Sequence, residues 1–533
     1  MSSAFPLLRT LAPLREKTYD LLVVGGGIYG AWTAYDAALR GLSVALIEKY
    51  DWASGTSSAS SKLIHGGLRY LEHYEFGLVR GALVERRRLH RLAPHLVRPL
   101  DFIVPVWKGP RANPFLLSAG LTLYDVLGGR RQPVDRHKRF SPKGLLARYP
   151  FVDPGALRAG FRYGDCQEDD ARMTLFVVAA AQAAGAVVAS RVEARELLRD
   201  GRAIAGARVH DEHGREDFDV RARAVVVAAG PWTPALLGAE APKVKLVKGI
   251  HIVLPAIPDC GEAFLLTARD GRVFFVIPWY GATIVGTTER EVTGPDDIEA
   301  TNDDVRYLLA GVKNGLPGIR WTEDDVIARY AGVRTLQAES AETLAAVTRE
   351  FEILEPAPRL VVPLGGKFTT ARGDAAEIVD RVQRALDQPR KRSLTARRPL
   401  PGTPETDEPF ERWQAAVLPL LKRQGVDEES ARWLTLRHGS RVARVMELVR
   451  EHPAWAARLH PERPFIDAEA VLAVRDEMAL SLDDVFRRRI PLRLLTRTDR
   501  SRLKRWAELL SPEWRRDPMD LLEEDVRRPG KQP

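Results

Sequence analysis

The sequence predicts a multidomain α/β protein, in which a nucleotide-binding domain shares the chain with an antiparallel sheet and is followed by an α-helical C-terminal domain. Three observations carry this. Residues 19–24 (YDLLVV) form a short, almost unbroken apolar run, which leads into GGGIYG, a helix-forming stretch ended by Gly41, and a second apolar run closing on Glu48. That is a complete strand–helix–strand unit with strands buried on both faces. RVFFVIPW and ATIVGTTE are separated only by Tyr280 and Gly281, the pattern of an antiparallel hairpin. Beyond a proline-rich, charged stretch at 389–409 the chain becomes dense in Leu, Arg, Glu and Trp at helical spacing, with almost no strand signal.

Size and composition support this division. A chain of 533 residues is too long for one core at roughly 150 residues per domain. Hydrophobic residues at 45% and charged residues at 28% exclude a largely disordered or collagen-like chain. No uncharged apolar run reaches the length of about 18 that a spanning helix needs. Residues 115–127 are too few and include Asp125, while 173–190 are interrupted by Gln182 and Gly185 and read as a buried helix. The N-terminal FPLLRTLAPLREK carries an arginine within its apolar part and lacks a small-residue cleavage site, so it reads as an arm. Cys166 and Cys260 form no Cys-x-x-Cys, which excludes a disulfide framework or a cysteine zinc site and makes a cytoplasmic location the expectation. No histidine spacing suggests a metal. The net charge of +9 favours anionic partners.

Gly25, Gly27 and Gly30 form G-x-G-x-x-G directly after the first strand, and Glu48 follows Gly27 by 21 positions. This is the spacing of a Rossmann-like dinucleotide site. Gly25 allows the tight turn, Gly27 lets a pyrophosphate approach the backbone, and Gly30 lets the helix pack closely. The helix start at Ile28 offers N–H groups to phosphate, and Glu48 accepts from ribose hydroxyls. An acid there favours FAD or NAD over NADP. The next stretch, DWASGTSSASSKLIHGGLRYL, is rich in small hydroxyl residues and suits a backbone threaded along a large cofactor. Further apolar strands are expected at 224–228, 245–254 and 359–362, the last running through PLGGKFT into a helix at 371–386.

At this point a family becomes recognisable. The block GTSSASSKLIHGGLRYLEHYEF, with GDCQEDDAR, VVAAGPW, KGIHIV, FFVIPW, GTTE, AGVRTL and GGKFTT in the same order, resembles the FAD-dependent, quinone-linked glycerol-3-phosphate dehydrogenases of the aerobic respiratory type. Thr335, Ile250 and Ala371 depart from the family pattern without removing a charged group. The resemblance implies an amino-acid-oxidase-like flavoprotein fold: a Rossmann-like FAD-binding domain, an interleaved antiparallel-sheet substrate domain and an α-helical C-terminal domain. The expected boundaries are an arm at 1–18 and a discontinuous FAD-binding domain at 19–100, 150–245 and 350–395. The substrate-binding segments are 101–149 and 246–349, followed by a linker at 396–409 and a helical domain at 410–533.

The resemblance also implies non-covalent FAD, held by the first glycine turn with Ile28, by Thr56, Ser57, Ser58, Ser61, Lys62, Leu63, His65, Gly66 and Gly67, by Gly230 and Trp232, and by Gly366, Lys367 and Thr369. It implies a substrate, glycerol 3-phosphate, whose phosphate needs several cations. Arg334 and Arg349 match the phosphate-contacting arginines, with Arg69, Tyr70 and Lys367 as further substrate-site residues. His65 and His251 are the two candidates for the base that takes the hydroxyl proton, since histidine titrates near working pH. The helix start near Gly366 would stabilise negative charge on reduced flavin.

A membrane quinone and an anionic membrane surface are the implied partners, with peripheral attachment to the inner face of the cell membrane. The segment 486–510, basic with leucines and a tryptophan, is a candidate contact, against the plainer reading of a solvated helix face. The basic run 86–98 is expected to be a solvated face, with no nucleic-acid partner. Two rivals remain at this level: an oxidase passing electrons to oxygen, and an amine or amino-acid oxidase of the same flavin fold. Oligomeric state is left open.

Overall fold

The computed structural model describes residues 4–109, 113–296, 298–337 and 351–527. Two sheets organise the first three-quarters of the chain. The first has the spatial order Glu352–Ala357, Leu360–Leu364, Glu216–Val227, Thr18–Val24, Val44–Glu48, Val187–Ser190. Its centre is parallel: Leu22 pairs with Val225 on one side and Ala45 on the other, and Leu46 pairs with Val188. Both faces of these strands are covered, which explains the unbroken apolar runs. Helices Ile28–Leu39, Asp170–Ala183 and Ala371–Ala385 bury one face through Ala31, Ala34, Phe176 and Ile378. The antiparallel strands Val192–Asp200 and Ala203–Asp211 continue into Glu216–Val227 and cover the other face with Ile204, Val209 and Val220.

The second sheet is mainly antiparallel and runs Arg290–Val292, Val244–Pro255, Ala282–Gly286, Val273–Trp279, Ala263–Thr267, Arg98–Trp107, Leu157–Gln167, Leu63–Ile64. Strand Ala328–Gln337 also pairs along Val244–Pro255, with Val247 opposite Arg334 and His251 opposite Tyr330. The hairpin closes with Trp279 opposite Ala282, leaving Tyr280 and Gly281 as its turn. Ile250, Ile252 and Val285 bury one face under the helix Asn302–Gly315. The opposite face looks into a cleft between the sheets.

Several sequence expectations are corrected. The run 173–190 is not one helix: the helix ends at Ala183, Gly185 turns the chain at φ 101°, and Val187–Ser190 joins the first sheet. Strand Leu157–Gln167 lies in the second sheet, although the boundary 150–245 would put it with the first. Its backbone pairs along the whole length of Arg98–Trp107. The linker at 396–409 is packed down, since Leu400 is buried and its N–H donates to the Leu92 carbonyl. The C-terminal domain is helical from Phe410–Arg423 onward, with one small hairpin, Arg458–His460 with Arg463–Ile466.

Two basic segments are only in part the solvated faces that composition suggests: Arg91, Arg500 and Lys504 are exposed, but other cations in them are not. Arg86 is buried and ion-paired with Asp165. In 486–510, Phe486, Ile490, Leu492, Leu495, Trp506 and Leu510 are core residues, with the Phe486 and Trp506 rings stacked at 4.0 Å. Arg488 and Arg489 are buried against Asp51. The apolar side chains of this segment fill a core, and its exposed residues, Arg497, Arg500 and Lys504 among them, are polar, so the entry of apolar residues into a bilayer expected there is withdrawn.

Candidate active site

The cleft between the sheets, about 2220 Å³, runs from the first glycine turn past His65 to the second sheet. At its nucleotide end the chain is built for close backbone approach. Gly25 has φ 112°, and a Cβ there would lie 2.5 Å from the Ala228 carbonyl oxygen. A Cβ on Gly30 would lie 1.8 Å from the Gly25 oxygen, so only glycine lets the helix start where it does. Gly27 differs, because its Cβ would meet only the Ser57 Oγ, at 3.0 Å, on the cleft side. The Ile28 N–H donates to Ser57 Oγ at 2.9 Å, tying the hydroxyl-rich loop to the helix start. Thr56 Oγ1 donates to the Val333 carbonyl and ties the same loop to the second sheet.

Glu48 lines the cleft and accepts from the Gly26 N–H at 2.6 Å and the Tyr50 N–H at 2.9 Å. Burial raises its pKa, and those two donors oppose the rise. On the far side of the turn, Gly366 has φ 82°, and a Cβ there would strike the Tyr29 hydroxyl at 1.7 Å. Tyr29 donates to Asp374 at 2.6 Å and accepts from the Lys367 N–H at 3.0 Å, so the first helix fixes the 366–367 turn. Sequence reasoning missed Tyr29. Its only signal was a place inside GGGIYG.

The catalytic candidates all line this cleft. The His65 N–H donates to Thr369 Oγ1 at 3.2 Å, and its ring lies 6.5 Å from that of Phe275. Gly66, the next residue, donates to the Tyr124 hydroxyl at 2.9 Å, and Tyr124 in turn donates to Asp165. The turn Leu68–His73 brings Arg69 and Tyr70 to the wall. The Lys367 ammonium sits 3.5 Å from the centre of the Tyr70 ring, a cation–π contact that holds it at the cleft.

His251 Nε2 is 2.9 Å from Ser61 Oγ, and its ring stacks on Tyr330 at 4.9 Å with 14° between planes. Burial, then the Arg334 and Lys62 cations, push its pKa down to about 3, so this imidazole is neutral across working pH. Arg334 donates from Nη1 to Glu289 at 3.0 Å and from Nη2 to Thr287 Oγ1 at 3.3 Å. Gly249 leaves room for it: a Cβ there would lie 2.8 Å from Arg334 Nη2. Gly249, Thr287 and Glu289 were not among the expected site residues, because their partners come from strands far apart in the chain.

Gly27, Ile28, Thr56, Ser57, Ser61, Leu63, Gly67, Gly230, Trp232, Gly366 and Thr369 also reach the cleft wall as expected. Four do not. Lys62 is buried behind the wall, where its ammonium donates to Asp170 and to the Ser58 carbonyl, both at 2.6 Å. That pairing turns it away from any cofactor. Ser58 and Gly66 do not reach the wall either, Gly66 packing against Tyr124 and Leu83, and Gly30 serves helix packing. Arg349 lies outside the described residues. Among the described residues no group of three or more His, Cys, Asp or Glu could hold a metal.

A glycine cradle, an acid at the end of the second strand and a cleft of this length fit FAD, and comparison with known proteins agrees. A family model described as FAD dependent oxidoreductase matches residues 20–378, and one described as the C-terminal domain of alpha-glycerophosphate oxidase matches 393–520. A glycerol-3-phosphate dehydrogenase of Synechocystis is 34% identical, over 92% of this chain and 91% of its own length. The aerobic glycerol-3-phosphate dehydrogenase of Staphylococcus aureus is 33% identical over 89% of this chain and 87% of its own. Among solved structures, the glycerol-3-phosphate dehydrogenase of Bacillus halodurans complexed with FAD superposes with a TM-score of 0.78 at 27% identity, covering 98% of both chains. The glycine turn, the hydroxyl-rich loop with His65, and the cations facing them are thus carried on a chain that belongs to the family of FAD-dependent glycerol-3-phosphate dehydrogenases.

Proposed function

We propose that this protein oxidises the secondary hydroxyl of glycerol 3-phosphate to the ketone of dihydroxyacetone phosphate and passes the two electrons to a membrane quinone. The observation that carries the reading is that three cations, Arg69, Arg334 and Lys367, line the same cleft as His65 and the dinucleotide turn. A small triol has little apolar surface, so its phosphate must supply most of the binding, and charge-assisted bonds to guanidinium and ammonium groups do this. Arg349 joins them in this reading.

FAD bound in the cleft supplies the acceptor for the hydride. The chain's own groups do the rest. His65 takes the hydroxyl proton as the carbon gives up its hydride. His251, held neutral, fixes Ser61 on the cleft wall by hydrogen bonding rather than by accepting a proton. The second sheet and the wall at Phe275 keep bulk water from the reacting carbon. Electron transfer to a quinone asks for peripheral attachment, since among the described residues no helix is long and apolar enough to cross a membrane.

The test is a spectrum under nitrogen. The flavin band should bleach with glycerol 3-phosphate and not with glycerol, and reoxidation should be faster with a quinone analogue than with oxygen. Bleaching by an amino acid instead would overturn the substrate assignment. The match of 393–520 to an oxidase domain favours a second reading, in which oxygen is the acceptor, and faster reoxidation by oxygen would select it.

A further inference from the structure

The helix Pro114–Gly128 is largely apolar on its exposed face as well as on its buried one. Pro114, Leu121 and Tyr124 are buried, while Phe115, Ala119, Thr122 and Val126 face solvent at the i, i+4, i+7, i+11 spacing of one stripe. Phe115 is 75% exposed, the adjoining Leu116 71% and Val126 69%. No charge occurs between Lys108 and Asp125 except Arg111. Tyr74, 79% exposed, and Phe76 extend the patch at its edge, their rings edge-to-face at 6.0 Å. A soluble surface does not ordinarily gather so much exposed apolar area in one place.

The surroundings identify what covers it. Residues 108–143 hold eight lysines and arginines against two acids, a surplus of six in a chain whose whole surplus is nine. Arg139 lies on the patch itself, its guanidinium 5.6 Å from the Phe115 ring. Of the two acids, both already counted in that surplus, Asp125 is bonded to His137 and Asp135 lies near Arg162, while Arg130 and Arg131 stand at the helix end. An apolar stripe rimmed by cations is complementary to an anionic lipid surface, where apolar side chains enter the acyl boundary and cations meet headgroups. At 15 residues, about 22 Å, the helix is too short to span and long enough to lie in the interface.

The patch is continuous with the cleft. Leu116, Ala119 and Leu123 on this helix, with Tyr74 and Phe76 beside it, line the cleft's mouth. We propose that the helix Pro114–Gly128 is the face by which this protein docks on an anionic bilayer, and that a lipid-dissolved acceptor enters the cleft along it. The second part rests on the quinone-linked function proposed above; the first stands on the surface alone.

The test sediments FAD-loaded protein with vesicles of phosphatidylcholine alone and of phosphatidylcholine mixed with phosphatidylglycerol. The unmodified protein should bind the anionic vesicles, less so as salt rises. Phe115→Ser with Val126→Ser, neither of which lines the cleft, should weaken binding about tenfold or more and leave oxidation of glycerol 3-phosphate by a water-soluble dye unchanged. Arg130→Glu with Arg131→Glu should remove most of the salt-dependent part. Equal binding by the Phe115/Val126 variant, or no vesicle binding by the unmodified protein, would overturn the proposal. So would a dimer in solution that the same variant dissociates, since the patch would then be covered by a second copy. Failure of the unmodified protein to reduce dye with glycerol 3-phosphate would instead overturn the functional reading and leave the docking result to stand by itself.

Discussion

Arg489 of the C-terminal domain donates from both Nη atoms to the two carboxylate oxygens of Asp51, at 2.7 and 2.8 Å, three residues beyond the acid that closes the dinucleotide unit. Arg488 adds a third bond to the same carboxylate at 2.5 Å, and all three residues are buried. Asp484, next to them, holds Arg191 at the end of the neighbouring strand. The helical domain therefore grips the loop after Glu48 from behind.

Removing that grip should be costly. Asp51→Ala leaves two buried guanidinium groups facing a gap, and loss of one member of a buried ion pair costs about 3–5 kcal/mol. Urea unfolding of the FAD-loaded protein should show a loss of that size, with fewer flavins retained per chain. A change below about 1 kcal/mol, the range of an exposed pair, with full flavin content would refute the coupling.

The glycines of the first turn separate folding from cofactor binding. Gly30→Ala drives a Cβ into the Gly25 carbonyl and should yield little folded protein. Gly27→Val projects into the cleft, with only the Ser57 hydroxyl to displace, and should give folded but colourless protein. Circular dichroism and flavin content together read the two outcomes; a yellow Gly27→Val protein would remove this turn from the pyrophosphate site.

The two histidines should part in their pH profiles. An imidazole pushed down to about 3 holds no proton to lose between pH 5 and 8, so His251→Gln should slow flavin reduction while keeping the acid limb. His65→Gln should abolish that limb and slow reduction by about 10²-fold or more. Stopped-flow reduction from pH 5 to 9 decides, and a limb lost with His251→Gln instead would exchange their roles.

Arg334 is held by Glu289 and Thr287 with its guanidinium at the cleft. Arg334→Ala should lower kcat/KM for glycerol 3-phosphate by about 2–4 kcal/mol in transition-state terms, and that for glycerol much less. Equal losses on both substrates would exclude a phosphate contact.

Stability should fall early in acid. Burial pushes His95 and His251 down to about 3 and His438 to about 4, each with nearby arginine charge acting in the same direction. Unfolded, each takes a proton below about 6.5. The unfolded chain thus binds more protons from there downward, and stability is full above pH 6.5 and lost as pH falls toward 4. At pH 5 the loss is of order 2 kcal/mol for each histidine. Glu469, pushed down to about 2 beside Arg437 and His438 against the effect of its own burial, adds a further loss below its ordinary 4.5. Urea midpoints at pH 7.5 and 5 should differ accordingly; equal midpoints would contradict the buried neutral imidazoles.

What was legible in the sequence is what local pattern encodes. The strand–helix–strand unit, the hairpin at 280–281 and the strand before GGKFT follow from apolar runs and glycine spacing, and the structure has each. Long-range pairing was not legible. Lys62 sits in a run of cofactor-like residues, yet Asp170, more than a hundred positions away, draws it behind the wall. The basic, leucine-rich stretch 486–510 has the composition of a membrane-surface helix, and only packing reveals that Asp51 pairs with Arg488 and Arg489. The exposed stripe at Phe115 was legible only as an apolar stretch too short to span, while its helix and its orientation were not.

The first sheet is assembled from strands at residues 18–48, 187–227 and 352–364, with the second sheet's strands threaded between. A growing chain emerging from the ribosome therefore carries the glycine turn hundreds of residues before the Gly365–Gly366 edge that faces it. The loop at Asp51 waits longer still, for Arg488 and Arg489 more than four hundred positions further on. The cleft is therefore complete only when segments far apart in the chain have all been made, and a chain cut before Arg488, even one that keeps the entire nucleotide motif, leaves the loop behind that motif without its anchor.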